Sequence, residues 1–146
     1  MNDPILTALD EQVACYRKLA KLAEAQHHCV EQSQTEKLLE ILARRQEVLD
    51  QIASFEKTVA PAKRVWPEYR DKLAPSLRDK AEALLAETRR LLEQITTADR
   101  NDALVLQQRK LNLGRQINQA AGARAVNRTY AASAYGTRRS SMDIQQ

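Results

Sequence analysis

Glycine is missing from the first 113 residues of this 146-residue chain, and its three copies (Gly114, Gly122, Gly136) all fall in the last third. That absence leaves a stiff helical body and excludes a glycine-rich phosphate-binding loop anywhere within it. Aromatic residues reach only 4%, so the expected core is leucine and alanine packed between helices. No fully apolar run exceeds four residues, against about 20 for a membrane span. The N-terminal stretch Met1 to Leu6 lacks the basic start and apolar run of a secretory signal. Only two cysteines occur. Cys15 and Cys29 lie 14 residues apart in one expected helix, about 21 Å along its axis, too far for a disulfide. Free thiols suit a reducing compartment, and the expected location is the cytoplasm.

What is present in quantity is Ala, Leu, Glu, Gln, Lys and Arg, residues that lose little side-chain freedom in a helix. The net charge is +4. From Ala123 onward Arg124, Arg128, Arg138 and Arg139 face only Asp143, leaving 19 basic and 18 acidic residues before that point. A near-neutral body has no clustered cationic face for duplex DNA, so no specific nucleic-acid partner is expected.

Hydrophobic spacing predicts an all-α antiparallel three-helix bundle, a coiled-coil-like hairpin with a long third helix and a flexible C-terminal tail. The expected bundle covers residues 1–121, with helices over 3–31, 34–60 and 76–121, a proline-containing linker over 61–75, and a basic tail over 122–146. In the first helix Leu6, Leu9, Val13, Tyr16, Ala20, Ala23, His27 and Val30 step by three and four. Ser33 and Glu36 read as a capping box opening the second helix, whose buried face would be Leu38, Leu42, Leu49, Ile52, Phe55 and Val59. Pro61 should end it. Pro67 opens a short helical turn that places Trp66 and Tyr69 over one end of the bundle. Ser76 and Asp79 start the third helix. Its seam of Leu84, Leu85, Leu91, Leu92, Ile95 and Ala98 is interrupted at Asp99 to Asp102 and resumes with Leu104 to Leu106, Leu113 and Ile117 after a phase shift. A helix of that length should bend near Asn101 or overhang after Leu113.

Catalytic equipment is not evident, and the chain does not read as an enzyme. His27, His28 and Cys29 are consecutive, and successive helical side chains diverge too far to converge on one ion, so neither metal nor cofactor is expected. Acidic residues alternate with Lys and Arg, as on a solvated helix face. Asn101 and Asp102 read as a polar pair that fixes helix register, or as the mark of a partner-binding groove. Ile117, Ala120, Ala121, Ala123, Val126 and Tyr130 form an apolar strip too thin for a stable free helix, which reads either as a frayed terminus or as a segment that folds on a partner.

Three stretches resemble the FlgN-type flagellar export chaperones: Leu38 to Ile52, Leu91 to Leu104 around Asn101, and Thr129-Tyr130 through Tyr135-Gly136. Here Tyr135 directly precedes glycine behind an alanine-rich stretch, which departs from the family's tail. The resemblance implies a cytosolic chaperone for the hook-associated proteins that join hook to filament. Such a protein binds the C-terminal helical region of its clients, prevents premature assembly and delivers them to the flagellar type III export apparatus. An amphipathic client helix would be anchored at i, i+3, i+4 and i+7 positions. The expected contact residues are Leu113, Ile117, Val126 and Tyr130, with Arg124 and Arg128 steering the approach. Two other readings stand beside this one: a chaperone for another type III client, and a structural coiled-coil or self-associating adaptor. Self-association of the chaperone itself would be weak at most.

Overall fold

The computed structural model describes residues 3–135, with Asn127 and residues 129–135 as backbone only. The chain is all-α: α1 spans Pro4–Glu31, α2 Thr35–Arg64, a short α3 Trp66–Asp71, and α4 Pro75–Tyr135. These residues divide into two compact units, Met1–Ala103 and Leu104–Gln146.

In the first unit, α1 begins on a well-formed cap. Asp3 Oδ1 accepts hydrogen bonds from the Ile5 and Leu6 amides at 2.8 and 3.3 Å, with Pro4 opening the first turn. The helix ends by a different device from the one its sequence suggests. Ser33 is not the N-cap of α2. It takes a left-handed conformation (φ 55°) beyond the end of α1, where its amide reaches the Val30 carbonyl at 3.3 Å and that of Gln34 reaches Cys29 at 2.9 Å. This pair of bonds is the Schellman arrangement, usually built on glycine. Gln34 caps α2 without a side-chain hydrogen bond.

The buried stripe of α2 also differs from expectation. Leu42 and Leu49 are exposed, and the covered positions are Leu38, Ile41, Arg45, Val48, Ile52, Phe55, Val59 and Ala62. These follow an unbroken three-four repeat that passes through a charged residue. The helix runs through Pro61 to Arg64. Burial of Val59 and Ala62 on either side of the proline favours continuing the helix despite the missing backbone donor. Pro67 lies in the first turn of α3, and Trp66 packs against the core as expected, its indole donating to Glu82 at 3.2 Å.

Over its first 28 residues α4 presents Ala81, Leu84, Thr88, Leu91, Ile95, Ala98 and Asp102 in constant three-four steps. The expected break in phase at Asp99 to Asp102 does not occur, because Asp102 itself occupies a seam position and is 1% exposed. The helix is continuous through Asn101. Of the expected flexible tail, residues 122–135 are helical, a stretch rich in alanine, the best helix former. Residues 136–146 lie outside those described.

Cross-helix pairs fix the directions. Gln12 meets Ile52 and Glu56, and Gln26 meets Arg45, so α1 and α2 are antiparallel. Arg17 meets Glu87 and His27 meets Asp102, so α4 runs parallel to α1 and antiparallel to α2. The common core is Leu9, Val13, Leu19, Ile52, Val59, Leu84, Leu91 and Ile95, with Ala8, Ala20 and Cys15 closing the gaps.

Candidate helical docking surface

One end of the first unit is sealed by polar side chains in seam positions of all three helices. Arg45 from α2 forms a two-pronged ion pair with Asp99 of α4, both N···O distances being 2.7 Å. Its Nη1 also donates to Gln26 Oε1. Gln26 Nε2 donates in turn to Asp102 at 3.3 Å. His27 Nδ1 lies 2.7 Å from Asp102 and Nε2 lies 3.0 Å from Glu31. A neutral imidazole has one N–H, so two carboxylates on two ring nitrogens call for the imidazolium. The Asp102 hydrogen bond accordingly holds the His27 pKa above its ordinary 6.5, against partial desolvation and with help from Glu31. Asp99 to Asp102 therefore form an internal clasp: Asp99 and Asp102 face α1 and α2, and Asn101 is exposed. Of the two readings of the Asn101 and Asp102 pair, this placement is the register-fixing one for Asp102. His28 is exposed and Cys29 buried. Among the described residues no group of three or more His, Cys, Asp or Glu is arranged to hold a metal ion.

Away from this clasp lies a separate set of polar contacts, among them the ion pairs Lys63–Glu56 within α2 and Arg70–Glu82 between α3 and α4. Gln12 donates to the Ile52 carbonyl and to Glu56 at 2.7 Å. Burial pushes the Glu56 carboxyl up, but the Gln12 and Lys63 hydrogen bonds outweigh it and leave the pKa below its usual value. Thr88 satisfies its buried hydroxyl on the Leu84 carbonyl at 2.9 Å.

The second unit contrasts with this packing. Leu104, Leu106, Leu111, Leu113, Ile117 and Val126 are all exposed, from 43% at Leu106 to 61% at Leu104. Soluble proteins do expose single leucines, but six on 23 residues of helix make an extended exposed apolar surface. On a helical wheel they fall into two groups. Leu106, Leu113 and Ile117 share a stripe with Ala120, which Lys110, Arg124 and Arg128 join at the same three-four spacing. Leu104, Leu111 and Val126 occupy the other side.

This geometry sorts the expected contact residues. Leu113, Ile117, Arg124 and Arg128 are brought onto one face, all exposed. Val126 is nine residues beyond Ile117, half a turn away, and cannot share that contact. The Tyr130 side chain lies outside the described residues. Sequence reasoning passed over Leu106 and Lys110, which the heptad spacing back from Leu113 and Ile117 could have found.

The charge also sorts by unit. No acidic residue occurs from Ala103 through Met142, whereas Arg109, Lys110, Arg115, Arg124, Arg128, Arg138 and Arg139 all fall there. Residues 1–102 hold 16 basic and 18 acidic side chains, a net charge of −2. Dividing the chain at Gly122 had obscured this, because three of the cations lie earlier on the same helix. Gly114 sits beside the Leu113–Ile117 stripe, and a Cβ placed on it would meet nothing within 4 Å.

No helix among the described residues is long and apolar enough to cross a membrane. Compared with family models, with curated proteins and with solved structures, the chain matches none.

Proposed function

We propose that this protein is a cytosolic export chaperone. In this reading the helix over residues 104–128 binds the C-terminal helical region of hook-associated proteins, prevents their premature assembly, and hands them to the flagellar type III export apparatus. The observation that carries the reading is the exposed stripe Leu106, Leu113 and Ile117, interspersed with Lys110 and Arg124, on a helix segment where Leu104, Leu111 and Val126 are exposed as well. Such a stripe suits the helix-in-groove and helix-on-helix modes of peptide recognition. The three stretches that resemble FlgN-type chaperones support the choice of client. The first unit acts as scaffold, its three long helical segments held by the shared core and by the Arg45–Asp99 and His27–Asp102 pairs. A chaperone for a different type III client would use the same surface.

The test is calorimetric titration of the full chain with the C-terminal helical segment of a hook–filament junction protein from the same organism. Saturable one-to-one binding, abolished in Leu113→Ser/Ile117→Ser, supports the reading. Absence of heat and of co-elution at tens of micromolar rejects the client. A concentration-dependent oligomer that is lost in the double variant would instead favour the self-associating adaptor.

A further inference from the structure

Resting on the reading that this helix docks a protein helix, we infer that the partner is acidic along its contact face, with carboxylates opposite Lys110 and Arg124. The stripe has a fixed order: Leu106, Lys110, Leu113, Ile117, Ala120, Arg124, stepping four, three, four, three, four. These are the positions a facing helix covers in knobs-into-holes packing. Lys110 and Arg124 are therefore inside the contact rather than at its rim. Laying an apolar residue over either cation would strip its hydration and return nothing. A carboxylate at the matching position restores the lost interaction and, in the partly desolvated contact, forms a charge-assisted hydrogen bond. Gly114 removes the side chain beside the stripe and lets the partner backbone come close.

The same charge pattern argues against the alternatives. A second copy pairing through this same segment would bring its own cations against these, since Ala103 through Met142 holds no carboxylate to answer them. RNA phosphates could answer the charge, but no aromatic residue occurs from Leu104 to Arg128 on which bases could stack. An anionic bilayer favours a helix with one apolar side, whereas here Leu104 and Leu111 lie opposite Leu106 and Leu113.

The experiment uses the full chain and three fluorescein-labelled helical peptides of identical apolar sequence. They carry Glu, Gln or Lys at the two positions facing Lys110 and Arg124, and anisotropy is read in 50 and 300 mM NaCl. The Glu peptide should bind about tenfold tighter than the Gln peptide at low salt, with the gap narrowing at high salt. The Lys peptide should be the weakest. Lys110→Glu/Arg124→Glu should reverse the order, which simple loss of folding cannot do. Equal binding of Glu and Gln peptides overturns the inference. So does tighter binding to phosphatidylserine vesicles or oligo(U) than to the Glu peptide, or self-association of the wild type that competes with it. If the Glu peptide binds and the junction segment does not, the acidic-helix surface stands and the client assignment fails. If the junction segment binds and the Glu peptide does not, the client stands and the charge rule fails.

Discussion

Arg45 and Asp99 meet as two parallel N–H···O bonds of 2.7 Å between the second and last long helices, at a place where a repeat of leucines would ordinarily continue. The Arg45 side chain is 13% exposed and that of Asp99 36%. The planar guanidinium satisfies Asp99 with both prongs and still reaches Gln26, a geometry lysine cannot reproduce. Arg45→Lys and Arg45→Ala should both destabilise the first unit. The alanine variant should lose about 1–2 kcal/mol, below the 3–5 kcal/mol of a fully buried pair because Asp99 keeps water contact. Urea denaturation followed by far-UV circular dichroism measures the loss.

His27 gives the bundle a pH dependence with a definite sign. Its pKa is raised in the folded state from an ordinary 6.5, so the stabilisation it contributes is complete below 6.5 and fades as pH rises through the raised value. Stability in urea should therefore decline as pH rises above 6.5, and His27→Gln should flatten that decline. Asp102→Asn removes the largest cause of the shift and should bring the His27 titration, followed by its ring-proton NMR signals, back down. A His27 titration unchanged in Asp102→Asn would disprove the coupling.

The left-handed Ser33 carries a conformational cost that glycine would not. Ser33→Gly should stabilise the α1–α2 hairpin by about 0.5–1 kcal/mol after allowing for glycine's greater freedom in the unfolded chain. A higher urea midpoint at an unchanged m-value is the expected readout.

Gly114 and Gly122 make the opposite case. Both are helical, and an added Cβ at either meets nothing within 4 Å. Gly114→Ala and Gly122→Ala should each favour the helix by about 1 kcal/mol, visible as increased ellipticity at 222 nm. If a partner helix approaches closely at Gly114, the first variant should gain helicity and lose affinity together.

Much of the fold was legible because leucine and alanine spacing is a direct consequence of helical geometry. The polar seam was harder to read. Arg45 and Asp102 sit in step with their apolar neighbours, yet a pattern search that admits only apolar residues skips them. It then picks Leu42 and Leu49 to keep the repeat alive, and infers a phase shift where none exists. Ser33 misled for a related reason: serine is a common N-cap, and a three-residue reversal leaves one residue to serve either helix. On the candidate surface, the expected contacts Leu113 and Ile117 and the expected steering charges Arg124 and Arg128 share one exposed helix face. Val126 was misplaced because the thin strip was read as one face. The charge asymmetry was hidden by a boundary drawn at a glycine rather than where the acidic residues stop.

The lengthwise division of the bundle, with Val59, Leu9 and Leu84 towards one end and the Arg45, Asp99, Asp102 and His27 clasp at the other, makes its response depend on which denaturant is used. Urea weakens apolar burial along the whole seam. Guanidinium chloride does that and is also a salt, so it screens the partly exposed ion pairs and competes for their carboxylates. Stabilities extrapolated from the two reagents should therefore disagree, guanidinium reporting the lower value, and the gap should narrow when the clasp is replaced by apolar side chains, with the remainder left by pairs such as Lys63–Glu56.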